Sequence, residues 1–97
     1  MADRSAERAQ RRITAISSQI TSLNSRLAVL KEQVDFLVHV ESDAQVQAVV
    51  RDNAAQSREH RVAKDDLQRA RRERDEVAAE LSRRRAEQDQ LLDGLLD

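Results

Sequence analysis

An uninterrupted heptad of apolar residues constrains this chain more than any other feature. Its members are separated by alternating steps of three and four, the spacing of a coiled-coil seam. The seam consists of Ile13, Ile16, Ile20, Leu23, Leu27, Leu30, Val34 and Leu37. Because such a stripe is stable only when another helix covers it, we expect an α-helix here and contact with other helices through these residues.

The composition favours long helices over any other fold. The 97 residues include one glycine, one phenylalanine and no proline, tryptophan or tyrosine, so β-turns and an aromatic core are disfavoured. Charged residues make up 36 % of the chain, as is typical of coiled coils. We therefore predict an all-α fold with a single helical domain over residues 1–97.

The most economical arrangement is an antiparallel coiled-coil helical hairpin. We place helix one at about 5–40, the turn at about 41–43 and helix two at about 44–94, since Ser42-Asp43-Ala44-Gln45 fits a capping box. A second heptad register starts at Val46. A three-helix bundle, one long bent helix and a short β-hairpin between residues 34 and 50 are the alternatives.

A turn at residues 41–43 predicts that the hairpin dimerises. Helix one is then too short to cover helix two beyond about residue 78, given 1.5 Å of rise per residue. The uncovered apolar residues are Leu81, Leu91 and Leu95. Because exposing them is costly, a homodimer or another helical partner is expected to cover them. Polar residues in the second register are candidates for specificity, namely Asn53, His60, Arg74 and Arg84.

Motifs for catalysis or ligand binding are missing from the sequence. There is no cysteine, no Gly-rich phosphate loop and no His-Glu-x-x-His pattern, so we predict neither an enzyme nor a cofactor or metal site. A net charge of −1 makes nucleic acid an unlikely partner. No apolar run approaches the ~20 residues of a membrane span, and we expect a cytoplasmic protein. The predicted function is a scaffold, adaptor or oligomerisation module.

A second function remains open on the same predicted architecture. With Glu41 and Asp43 at its tip, the hairpin over about residues 8–75 resembles the coiled-coil arm of transcript-cleavage factors. That resemblance implies an arm that binds RNA polymerase through an acidic tip. An Arg-rich strip between Arg69 and Arg85 would be the corresponding surface for nucleic acid.

Overall fold

Two long helices account for almost all of the structure. A computed structural model describes residues 4–96, with α1 at Arg4–Arg51 and α2 at Ala54–Leu96. The prediction of an all-α helical hairpin is confirmed. The three-helix bundle, the single bent helix and the β-hairpin are wrong, since the described residues hold two helices and no strand.

The chain reverses within two residues. Asp52 has a φ of 45°, a left-handed conformation that aspartate tolerates better than most residues, and its N–H donates to the Ala48 carbonyl at 3.1 Å. Asn53 then caps α2, because its Oδ1 accepts the Gln56 N–H at 2.8 Å and its carbonyl accepts the Ser57 N–H. These contacts satisfy backbone groups at both helix ends without glycine or proline.

The predicted turn at 41–43, with helix boundaries at 40 and 44, is wrong. Ser42 and Asp43 are exposed residues inside α1. The heptad of α1 continues past Leu37 through Glu41, Ala44 and Ala48, all of which are half-buried. A carboxylate and two alanines keep the helical period but lack the bulk that marks a seam in the sequence.

Both predicted heptads lie in the interface between the helices. All eight apolar seam residues of α1 are buried or half-buried, with Ile16 completely inaccessible. The second register is correct from Gln56 to Leu91, and its buried members are Ala63, Leu67, Ala70, Val77 and Leu81. Its first two predicted members, Val46 and Val49, are exposed residues of α1. The second register therefore does not begin at Val46.

The chain divides into two compact units, each built from one segment of each helix. Unit 1 combines α1 up to Arg26 with α2 from Val77 onwards, and unit 2 comprises Leu27–Glu76. In unit 2 the core is a cluster of Val34, Leu67 and Ala70, with Leu37 packed against it.

The predicted uncovered end of helix two is wrong for Leu81 and Leu91, which are buried and half-buried, but Leu95 is 37 % exposed. Leu81 is 4 % exposed within the single chain. Leu91 and Leu95 line a groove of unit 1 together with Ala6 and Ala9 of α1. Moving the turn to Asp52 lengthens α1 and shortens α2, so α1 reaches these leucines. With Leu81 buried and Leu91 half-buried within the chain, Leu95 is the one of these three leucines that still supports a dimer through this segment.

Candidate functional site

A polar pair interrupts the apolar seam of unit 2. His60 of α2 and Glu41 of α1 approach at 2.8 Å between Nε2 and Oε1, and each side chain is 22 % exposed. Because a carboxylate oxygen can only accept, the proton of this hydrogen bond lies on Nε2. The predicted polar position at His60 thus has an intrachain partner. A half-buried polar pair of this kind restricts helix register, since a shifted helix would leave both groups unpaired.

Unit 1 is crossed by a network of charged side chains. Arg12 of α1 donates to Glu87 of α2 at 2.9 Å, and Arg84 binds both Glu87 and Glu80. The hydrogen bonds from Arg83 and then Arg84 lower the pKa of the Glu80 carboxyl.

The same network shifts two further groups. The hydrogen bond from Arg12 lowers the pKa of Glu87, and the hydrogen bond to Glu80 raises the pKa of Arg84. Arg84, predicted as an inward polar position, is therefore held by acids of its own chain.

Two uncharged acceptors of α1 extend this polar contact. The Gln88 amide donates to Ser17 Oγ at 2.8 Å, and Arg85 donates to Asn24 Oδ1 at 3.2 Å. Neutral polar residues are frequent in α1 between Ile13 and Leu30. Here two of them, Ser17 and Asn24, bind polar side chains of α2.

The remaining predicted polar and basic positions have local roles. Asn53 is a helix cap instead of a seam residue. Arg74 pairs with its neighbour Asp75 at 3.0 Å, and Arg69 pairs with Asp66. Acidic partners thus neutralise much of the Arg-rich strip, which weakens it as a phosphate-binding surface.

The predicted acidic tip is wrong in position. Glu41 lies inside the helical interface opposite His60, and Asp43 lies on the side of α1. The residues that form the turn are Asp52 and Asn53. The likeness to a polymerase-binding arm depended on the acids at the tip, and it loses that support.

One broad side of unit 2 combines exposed apolar residues with carboxylates. We call it the acidic face and define it by the c and g heptad positions of both helices, where Ile13 of α1 and Leu67 of α2 occupy a positions. Its charged members are five acids and one base, namely Asp43, Glu59, Asp66, Glu73, Glu76 and Arg69. Its larger apolar members are Val29, Phe36, Val40, Val50 and Val62. An open groove of about 410 Å³ runs here between Val40 and Val62, and its charged lining residues are Glu59, Asp66 and Arg58.

The opposite broad side of unit 2 has the reverse charge. This basic face contains the b and e heptad positions, where four bases outnumber two acids: Lys31, Arg61, Lys64, Arg71, Asp35 and Asp75. A shallower groove lies along it, with Val38 of α1 on one side and Lys64 and Arg71 of α2 on the other. No ion pair joins its four bases to any residue between 4 and 96.

Sequence inspection missed the apolar part of the acidic face. Phe36, the single aromatic residue of the chain, is 65 % exposed, and Val29 is 62 % exposed. A signal was present, since Val29, Gln33, Phe36 and Val40 repeat the steps of four and three that mark a seam. This second stripe lies beside the first and is visible only once the main seam is assigned.

Comparisons with protein-family models, curated proteins and solved structures gave no match. Neither helix, over residues 4–96, is long and apolar enough to cross a membrane. Within that range no three acidic, histidine or cysteine side chains are grouped so as to hold a metal ion.

Proposed function

We propose that this chain is a non-enzymatic coiled-coil interaction module that serves as a scaffold, adaptor or oligomerisation element in the cytoplasm. The exposure of Phe36 beside Val40 on the acidic face is the observation that carries the proposal. Contiguous apolar surface rimmed by polar residues is characteristic of binding sites, and aromatic residues dominate the energetics of such contacts.

The main seam supports the proposal in a different way from that expected from sequence. Its residues, from Ile13 to Leu37, are occupied by α2 of the same chain. They stabilise the hairpin and leave its broad sides available. A partner would therefore bind the outside of a folded hairpin, without separating its helices.

Photo-crosslinking in cells tests this function. A benzophenone side chain replaces Phe36, and in a matched variant it replaces Arg72, an exposed residue on the outer edge of α2. We expect a discrete adduct from position 36 and none from position 72. Equal labelling from both positions, or none from either, would contradict an interaction site on the acidic face.

A further inference from the structure

We infer that the partner of the acidic face is the basic face of a second copy of this chain. This inference rests on the proposed function and names the occupant of the proposed site. It predicts face-to-face stacking of hairpins through their unit 2 segments. The two surfaces belong to the same molecule and lie on opposite sides of it.

The charges of the two faces are complementary. The acidic face has five carboxylates and one guanidinium, and the basic face has four cations and two carboxylates. On the acidic face, Asp43, Glu59 and Glu76 form no ion pair with residues 4–96. On the basic face, Asp75 binds Arg74, whereas Asp35 forms no ion pair with residues 4–96, so four cations stand against one unpaired carboxylate. Stacking would bring the unpaired charges of opposite sign together, which favours this orientation of encounter.

The apolar surfaces also suit this contact. Phe36, Val40 and Val62 are exposed apolar residues in the middle of the acidic face. The basic face offers Val38, together with the methylene stems of Lys64 and Arg71 that line the same groove. Such stems cover apolar surface while their charged ends reach outward, here toward the carboxylates at the rim of the partner's acidic face.

The same charges disfavour a two-fold symmetric dimer. Two acidic faces in contact would place Glu59 and Asp43 of one copy among the carboxylates of the other, and two basic faces would repel in the same manner. The favoured contact joins unlike surfaces. Such a contact leaves one acidic and one basic face open at the ends of the assembly, so it continues into a ring or an extended stack.

Light scattering coupled to size exclusion, over a series of concentrations of the full chain, tests the inference. The monomer mass is 11.0 kDa. We expect the mass to rise roughly twofold or more with concentration, and to fall again near 1 M salt, where the Debye length is about 3 Å.

Two charge-reversal variants make the test specific. Asp43→Lys with Glu59→Lys and Glu76→Lys makes both faces basic, and Lys64→Glu with Arg71→Glu makes both acidic. All five positions are exposed and form no ion pair in residues 4–96, so the hairpin should keep its helical circular dichroism. We expect each variant alone to remain at the monomer mass and an equimolar mixture of the two to associate.

A matched control changes charge on the outer edges of the helices. Glu32→Lys with Arg72→Glu alters two exposed f positions and should associate as the unaltered chain does.

A monomer at every concentration, or association of either reversal variant on its own, would overturn the inference. If the unaltered chain is monomeric while position 36 crosslinks to a different protein, the stacking is refuted and the interaction function stands. If position 36 also yields no adduct, both fail.

Discussion

Nε2 of His60 lies 2.8 Å from Oε1 of Glu41, and this hydrogen bond joins α2 to α1 inside the seam of unit 2. Apolar residues occupy the neighbouring inward positions, Leu37 and Ala63. The cost of desolvating the imidazole and the carboxylate offsets much of their mutual attraction. The pair therefore fixes the register of the two helices more than it stabilises them.

Replacing both members of this pair by leucine should stabilise the hairpin. The Glu41→Leu/His60→Leu variant buries apolar surface where two polar groups were desolvated, and we expect a gain of about 1–2 kcal/mol in the free energy of unfolding. His60→Leu alone leaves Glu41 without its partner and should lower stability by about 1 kcal/mol. Urea denaturation of the three proteins measures the difference. A double variant less stable than the unaltered chain would contradict this description of the pair.

The acidic side chains of unit 1 should make the hairpin sensitive to acid. Hydrogen bonds from Arg83 and Arg12 lower the pKa values of Glu80 and Glu87, respectively, from an ordinary value of 4.5. Between pH 4.5 and the lowered pKa values of the folded chain, the unfolded chain therefore binds more protons than the folded one. The free energy of unfolding accordingly falls as the pH drops from 4.5 through the pKa values of Glu80 and Glu87 in the folded chain.

Thermal melts as a function of pH check this dependence. The Glu80→Gln/Glu87→Gln variant cannot titrate at these positions, so its melting temperature should change less between neutral pH and pH values below 4.5. Identical pH profiles for the variant and the unaltered chain would show that these two carboxyls do not contribute.

The position of the turn can be tested with two substitutions of the same type. Asn53→Ala removes the acceptor of the Gln56 N–H and should destabilise the hairpin by about 1 kcal/mol. Ser42→Ala changes the rival capping box, which lies inside α1, and should alter stability by less than about 0.5 kcal/mol. Urea denaturation distinguishes them, and a larger effect at Ser42 than at Asn53 would return the turn to residues 41–43.

The core of unit 2 should respond strongly to truncation. Leu67 is buried against Val34, and Leu67→Ala removes three carbon atoms from that contact, with an expected loss of about 2–4 kcal/mol. Val46→Ala, at an exposed position of α1, serves as the control and should change stability by less than about 0.5 kcal/mol. Comparable losses at the two sites in chemical denaturation would contradict the assigned interior.

The fold class and both seams could be predicted because they depend on bulky residues with a helical period. The position of the turn could not, since two segments carry the same signature: Ser42-Asp43-Ala44-Gln45 and Asn53-Ala54-Ala55-Gln56. The distinction lies in Ala44 and Ala48, which continue the first seam with side chains too small to mark it. The leucines that a turn at residues 41–43 leaves uncovered, Leu81 and Leu91, are themselves a signal that α1 extends further.

The candidate site was harder to predict than the fold. Its charged residues are spread over both helices, and they form two faces of opposite sign only when the helices are aligned with the turn at Asp52 and Asn53. An alignment with the turn at 41–43 brings different residues side by side. Phe36 was assigned no role because it lies outside the main heptad.

The two charged faces depend on how α1 and α2 are aligned. The distance between one residue of α1 and one residue of α2 measures that alignment. The chain has no cysteine, so spin labels can be attached at Val38→Cys and Lys64→Cys alone, two exposed positions on opposite sides of one groove. With the turn at Asp52 and Asn53, pulsed electron paramagnetic resonance should give a separation of about 10–20 Å between the two spin labels, because packed helices lie about 8–10 Å apart. A turn at residues 41–43 would place the labels about 28 Å apart along the hairpin, and a continuous helix about 39 Å apart, at 1.5 Å per residue. Either longer distance would contradict the alignment, and with it the two charged faces.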